Sequence, residues 1–348
     1  MDKIMKITIR DVATDAGVSA KTVSRVLNNL PYVSADVRNR VWESVNKLGY
    51  TPDEAGKRLA SMKSGGRVRT GNIGCVLFPS YEKYSEPYTA EILEELGKVL
   101  LEMNLHQYFC YTLEELADPS LFTRMVNPNM VDGCVLIGLS NQHQQDIIKI
   151  KNKIDCIVLV GLVNDNCVTS VHPDGVLGGY LGVKHLISLG HRRIGCVVGY
   201  SGHSDTELRL TGYKKALSEA GIEYDPKLVV GGKFSIEGAA EATKLLLKLS
   251  VPPTAIYSVS DPMAIGVYKM VQECGLRIPQ DISVVGFDDI KLAAHLFPGL
   301  TTVGMDKYEM VKMAVQVLLD QIDGKSKSNM QITFPVKLVE RNSCRRLE

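Results

Sequence analysis

Lys21 and Arg25 stand four residues apart in the run SAKTVSRVLNN, with Ala20, Thr22, Ser24 and Asn28 beside and between them. Lysine and arginine can donate to O6 and N7 of guanine in a major groove, threonine and serine hydroxyls can donate to phosphate, and alanine allows close approach. That chemistry requires a helix. At helical spacing these six side chains share one face while Val23, Val26 and Leu27 form an apolar stripe opposite. The same face also fits a solvated helix of an ordinary three-helix bundle, and composition does not choose between the two.

The flanking residues supply the elements that would present this face. Thr8 predicts the cap of a first helix, its hydroxyl accepting a backbone N–H, with Asp11 suited to the positive helix start and Ile9, Val12, Ala13 and Ala16 at apolar spacing. Gly17-Val18 predicts a tight turn, and Ser19 the cap of the second helix. After Pro31, Ser34 predicts the cap of a third helix with Val37, Val41, Val45 and Leu48 inward and Gly49 at its end. Three short helices with a glycine turn after the first describe a helix-turn-helix unit, whose second helix enters the major groove.

Charge divides along the chain in a way that suits this reading. Residues 1–69 hold 13 Lys and Arg against 7 Asp and Glu, so of the total of +1 this segment carries +6 and the rest −5. The small N-terminal part is therefore the polyanion partner candidate. MDKIMKITIRDVA has no apolar stretch long enough for a signal peptide, and no apolar run reaches membrane-spanning length, so a cytoplasmic protein without a membrane partner is expected. The eight cysteines lack any CxxC pair and mostly sit in apolar runs, which predicts buried free thiols rather than disulfides or zinc. No HExxH, Walker loop, GxSxG or strand-borne GxGxxG occurs, so no catalytic residue, metal or cofactor is expected. Gly178, Gly179 and Gly182 lie inside a helical pattern, which predicts close helix packing.

From residue 72 onward short apolar runs alternate with helical patterns. Ile73 to Phe78, Gln107 to Tyr111, Val131 to Ile137, Ile157 to Val160, Ile194 to Val198, Leu228 to Val230, Ala255 to Val259 and Ile282 to Phe287 read as strands of βαβ units, hence parallel sheets. They are too many for one small sheet and predict two doubly wound lobes with a ligand cleft between them, beyond the carboxyl ends of the strands.

The run TIRDVATDAGVSAKTVSRVLNN, followed by YVSADVRNRVWESVNKLGYTPDEAGKRLA, closely resembles the start of lactose-repressor (LacI) family regulators. The likeness continues through VDGCVL, DGVLGGYLGVKHLISLGHRRIG, ELRLTGYKKALSEAGI, DPMAIGVYKMVQECGLRIPQDISVVGFDDI, PGLTTV and LVERNSC, spanning nearly the whole chain. It implies a helix-turn-helix DNA-binding domain over 1–51, a hinge helix and linker over 52–71, and a two-lobed periplasmic-binding-protein-like α/β core over 72–348. Residues 72 to about 171 and 291 to 323 are expected to contribute to different lobes. The partners implied are double-stranded operator DNA, a small-molecule effector and a second copy of the chain, the homodimer using the apolar LAAHLFPGL stretch, with no tetramer built on a coiled coil.

The resemblance also implies roles for individual residues. Ala20, Lys21 and Arg25 contact bases, while Thr8, Ser19, Thr22, Ser24, Asn28 and Tyr32 hold phosphates. In the hinge, Leu59 is the wedge that unstacks a base step in the minor groove, and Lys57, Arg58 and Lys63 neutralise phosphates. Gly56 stands where the family usually has alanine, which costs about 0.8–1 kcal/mol within a helix. In the cleft, Arg209 offers five fixed donors, Asp288 accepts from hydroxyls, and Phe234 and Tyr88 present aromatic faces from the two lobes. Ser260 stands where many members have asparagine or aspartate, and Tyr200 adds a hydroxyl. Such a set suits a carbohydrate, the class most of the family answers to, and could also hold a purine. Arg209 and Asp288 could instead pair with each other, and Phe234 could be core. His185 and His191 read as packing or capping groups.

Overall fold

The computed structural model describes residues 7–27, 31–51, 69–77, 87–138, 143–159, 161–162, 168–326 and 328–347. The chain divides into two units, Met1–Arg69 and Thr70–Glu348. Asn28, Lys57, Arg58, Leu59, Lys63 and Gly56 fall outside the described residues, and with them the hinge.

In the first unit α1 (Ile9–Asp15), α2 (Ala20–Leu27) and α3 (Ala35–Leu48) bury Val12, Ala13, Ala16, Val23, Val26, Val41 and Val45 against one another. The apolar stripes read from spacing are thus this core. Ser34 accepts the Val37 N–H, and Gly49 ends α3 in the left-handed region at φ 63°. Thr8 is the N-cap of α1, as expected, and closes a capping box with Asp11. Its hydroxyl and its amide both donate to the Asp11 carboxylate at 2.7 Å, which holds that carboxyl below its ordinary range. Ser44 Oγ donates to the Val12 carbonyl and Lys47 pairs with Asp15, tying α3 to α1.

The second unit holds two six-stranded sheets. The first has the order β11-β5-β4-β3-β1-β2, from β1 (Asn72–Leu77), β2 (His106–Thr112), β3 (Gly133–Ile137), β4 (Asp155–Leu159), β5 (Thr169–Pro173) and β11 (Gln331–Phe334). The second has the order β12-β10-β9-β8-β6-β7, from β6 (Ile194–Val198), β7 (Val229–Gly231), β8 (Ala255–Ser258), β9 (Ser283–Phe287), β10 (Thr301–Gly304) and β12 (Lys337–Val339). Every pairing is parallel except β12 on β10, which is antiparallel. All eight predicted strands form; β5, β10, β11 and β12 are additional.

Those four additional strands bracket the lobe crossings. The chain passes from the first lobe to the second after β5, returns after β10, and passes again between β11 and β12. Residues 291–323 are therefore not one lobe's contribution, which corrects the expectation. Residues 291–304 stay with the second lobe, while α11 (Lys307–Ile322) packs on β3, β4, β5 and α4 (Pro87–Glu102) of the first. Thr70 and Gly71, read above as the end of a linker, are held by the buried Asp132 carboxylate, which accepts both backbone N–H groups.

In the second lobe α7 (Gly175–Ser188) and α8 (Ser204–Glu219) approach more closely than side chains allow. A Cβ on Gly179 would lie 2.2 Å from the Arg209 carbonyl oxygen, and one on Gly212 would lie 2.1 Å from that of Val176. Close packing thus explains the glycines of α7. Gly179→Ala should be destabilising by about 1–3 kcal/mol, because overpacking outweighs alanine's helix preference of about 1 kcal/mol. Calorimetry should register a melting temperature lower by several degrees; an unchanged or higher one refutes the contact.

Among the described cysteines Cys75, Cys134 and Cys196 are buried thiols, Cys110 and Cys344 are partly covered and Cys274 is exposed. His191 is buried and bonds Thr254, Ser283 and the Arg345 carbonyl, and burial lowers its pKa. His203 and His185 are lowered by burial as well. A histidine whose folded pKa lies below its unfolded value stabilises fully above about pH 6.5 and loses that contribution as pH falls through the folded pKa. The melting temperature should therefore drop between pH 7.5 and 5.5. His191→Asn should melt lower at pH 7.5 and show a shallower drop; an equally steep drop would exclude His191 as a contributor.

Candidate functional site

α2 presents Lys21 and Arg25 to solvent, with Ala20, Thr22 and Ser24 partly covered at its sides. The helix starts where it does because Ser19 Oγ accepts the Thr22 N–H at 3.0 Å, and the two hydroxyls lie 2.8 Å apart. Ser19 and Thr22 are therefore fixed as a pair at the N-terminus of the helix. Tyr32 is 97 % exposed, with its backbone in the left-handed region at φ 72°. An aromatic side chain so placed gains nothing from packing, and its conformation is strained for a residue with a Cβ. These residues form one unit with a small core of its own, offering cationic donors on a rigid helix face.

The second site is built at the carboxyl ends of strands. Arg209 lies on α8, which follows β6; Phe234 follows β7, Ser260 follows β8 and Asp288 follows β9. In a doubly wound sheet these ends form the crevice where ligands sit, and here β7 and β8 flank β6 on opposite sides. Tyr88 comes from the first turn of α4 in the other lobe.

Arg209 is 3 % exposed and Asp288 2 %. The guanidinium lies over the face of Phe287, 3.7 Å from the ring centroid. Its Nη1 donates to the Val259 carbonyl and meets Asp288 Oδ1 at 3.3 Å, and its Nη2 stands 4.0 Å from Asp205. Burial opposes the charge on Arg209, but Asp288 and Asp205 outweigh it and raise its pKa. The two predicted ligand residues do pair, and the pair leaves capacity over. Arg209 Nε, the Thr206 hydroxyl and the Tyr257 phenol are buried without a hydrogen-bond partner among the described residues. Both Tyr257 and Tyr88 lie within electrostatic reach of the guanidinium.

Two strained turns aim the remaining side chains. Asp288 and Asp289 both have positive φ, 116° and 49°, as do Lys233 and Phe234, 55° and 50°. Such residues cost about 1–3 kcal/mol each and persist only where their surroundings over-determine them. At Asp288 the surroundings are visible: its N–H donates to the Val303 carbonyl at 2.7 Å, and the Ile290 N–H donates to buried Asp261 at 3.0 Å. Burial, then the neighbouring Asp288 carboxylate, push the Asp261 carboxyl well above its usual range. Phe234 lies against Gly199, where any Cβ would be 2.1 Å from the ring, with His203 edge-on at 5.1 Å and Tyr200 at 6.1 Å.

Ser260 caps α10 (Asp261–Glu273), accepting the Met263 N–H at 3.4 Å. The Tyr88 hydroxyl points at Met305 Sδ, 3.9 Å away. The structure brings Arg209, Asp288 and Tyr88 together and sets Phe234 in a neighbouring aromatic group. Sequence reasoning missed Thr206, Tyr257, Phe287, Asp205 and Asp261. Thr206 could have been found one helical turn before Arg209, and Phe287 immediately before Asp288; Tyr257 gives no signal within a buried strand.

Two family profiles match the chain: bacterial regulatory proteins of the lacI family over residues 8–53, and a periplasmic binding protein-like domain over residues 183–344. The HTH-type transcriptional repressor PurR of Aliivibrio salmonicida is 31% identical over 345 residues, covering 98% of this chain and 99% of the relative. The ribose operon repressor of Haemophilus influenzae is 33% identical over 337 residues, covering 97% and 98%. Among solved structures, a lac repressor dimer bound to operator and the anti-inducer ONPF aligns with TM-score 0.76 and 27% identity, covering 97% and 99% of the two chains. A transcriptional regulator CelR–cellobiose complex aligns with TM-score 0.72 and 28% identity over the same shares. A LacI-family regulator from Enterococcus faecium with bound ribose aligns with TM-score 0.68 and 27% identity, covering 80% of this chain and all of that one.

Proposed function

The chain belongs to the lacI family of bacterial regulatory proteins, and from that membership we propose a cytoplasmic, homodimeric repressor whose operator affinity is set by a carbohydrate held between Arg209, Asp288 and Tyr88. Regulation of transcription through DNA binding follows from the family; the ligand and the residues are our reading. One observation carries the site: the buried Arg209 Nε, Thr206 hydroxyl and Tyr257 phenol have no partner among the described residues. A buried polar group left unpaired costs about 1–3 kcal/mol, so the free Nε of the cation and the two unpaired hydroxyls, one of them within its electrostatic reach, are best understood as places for ligand oxygens. The cellobiose and ribose complexes of similar regulators support a sugar.

A second reading, a purine or nucleoside, is favoured by Phe234 with His203 and Tyr200 around it. A thermal-shift screen with D-ribose, cellobiose, other mono- and disaccharides and adenosine separates the two. A ligand at 100 times its Kd stabilises by about 2.7 kcal/mol. A shift with nucleosides alone replaces the sugar; no shift with any of them rejects the site. DNA binding is tested by retention on heparin, which should weaken steadily as salt rises.

One helix-turn-helix reads too little DNA for specificity, and two-fold symmetry doubles it. The dimer surface proposed here includes Phe297, 91 % exposed, beside a groove of about 600 Å3 that Leu276, Ile278, Pro279 and Pro298 help to line. Light scattering should give a dimer; a monomer at micromolar concentration, or a stable tetramer, overturns this.

A further inference from the structure

Asp288 belongs to one lobe and Tyr88 to the other, so an effector touching both responds to how the loop carrying Asp288 is held against the helix carrying Tyr88. Glu91 lies one turn along α4 from Tyr88, and both of its carboxylate oxygens are engaged. Oε1 accepts the backbone N–H of Lys291 at 2.6 Å, and Oε2 meets Lys307 Nζ at 3.2 Å. Lys307, on the first turn of α11, donates in addition to the backbone carbonyl of Asp289 at 2.7 Å and stands 5.9 Å from the Tyr88 ring centroid.

The loop from Asp288 to Lys291 is thus gripped from the first lobe at two backbone atoms, one on each side of Ile290. The second lobe grips it at Ile290 N–H through Asp261 and at the Asp289 carboxylate through Arg341, 2.6 Å away. Because the grips from α4 and α11 reach backbone atoms, they sense the position of the loop rather than the side chains at 289 and 291. A Lys291–Glu94 bridge also crosses between the lobes, but both partners are exposed, and such pairs contribute little. Glu91 and Lys307 are only 12% and 11% exposed, so their pairing is shielded from water.

We propose that Glu91, together with Lys307, is the positioning residue that couples the Asp288 loop to the Tyr88 helix, so that effector contact on one lobe is felt by the other. The proposal rests on the reading of Arg209 and Asp288 as the effector site. Glu91 itself touches no ligand; it acts through the backbone of the loop.

The test uses the full-length protein in two arms. In the first, without ligand, hydrogen exchange of the Lys291 amide is followed. Glu91→Ala should accelerate it about tenfold, as expected for loss of one hydrogen bond to a charged acceptor, whereas Glu91→Gln keeps an acceptor and should retain most of the protection. In the second, D-ribose is titrated by calorimetry. Glu91→Ala should bind it about tenfold more weakly than wild type, with Glu91→Gln between them. Should Glu91→Ala fail to fold, Lys307→Met removes the grip on Asp289 and leaves the Lys291 contact, and a similar loss of ribose affinity is expected. Unchanged exchange at Lys291, or wild-type ribose affinity in both Glu91→Ala and Lys307→Met, overturns the coupling. If the wild type ignores D-ribose while the Lys291 amide still depends on Glu91, ribose is rejected as the ligand and the coupling is supported.

Discussion

Arg209→Ala should weaken effector binding by at least about 100-fold, because it removes the cation from a buried pair as well as the principal donor proposed for the ligand. Breaking such a pair by deleting one partner costs about 3–5 kcal/mol, since the other charge is left buried and unpaired. Here the stranded group is Asp288, which already lies close enough to Asp261 to raise that carboxyl. Part of the cost falls on the unliganded second unit, so its melting temperature also falls. The DNA-binding unit has its own core, and operator affinity of the ligand-free protein should stay nearly unchanged. Arg209→Lys should recover little, because a single ammonium cannot reach Val259, Asp288 and a ligand at once. Calorimetry with whichever compound the wild type binds decides the matter: wild-type affinity in Arg209→Ala means that the pocket lies elsewhere.

Arg25→Ala and Lys21→Ala should leave stability within about 0.5 kcal/mol of wild type, since both side chains stand in solvent away from caps and core. Their effect on operator binding should be large. A good base contact discriminates by about 1–3 kcal/mol, and in a two-fold dimer each substitution acts twice, for a loss of about thirty- to twenty-five-thousand-fold. Fluorescence anisotropy on the preferred site and on a scrambled duplex should show most of this loss on the preferred site. Equal losses on both duplexes would reassign the two residues from bases to phosphates.

The three helices of the first unit were legible because periodicity and caps are local: Val12, Val23 and Val41 declare an inward face, and Ser34 and Gly49 declare the ends of α3. The central strands were legible for a related reason. Strands covered on both sides, such as Gly133–Ile137 and Ser283–Phe287, read as continuous apolar runs. Of the strands at the crossings, β11 and β12 gave no such signal because they are short, largely uncovered edge strands, and β5 and β10 because buried polar residues interrupt them. Thr169, Thr301 and Thr302 are fully buried yet satisfied, by Gln321 and the Met330 N–H, by the Arg341 N–H, and by Asp261. Their partners lie between 40 and 161 residues away, so no local pattern announces them.

By itself the sequence determined a helix-turn-helix with a basic outer face, the two mostly parallel sheets and, through its resemblance, the candidates for the residues that would face DNA and ligand. Tertiary structure alone decided how those residues are used. Ser260 is a helix cap, the Thr206 and Tyr257 hydroxyls are buried without a partner among the described residues, and the 291–323 segment splits between lobes at Met305 and Asp306. It alone shows that Glu91 and Lys307, ordinary helix charges in the sequence, grip the backbone beside Asp288. The physical reason is range. Periodicity, caps and turns are set by neighbours within a few residues, whereas a cleft is assembled by strand ends and helix starts that meet only once both sheets have formed.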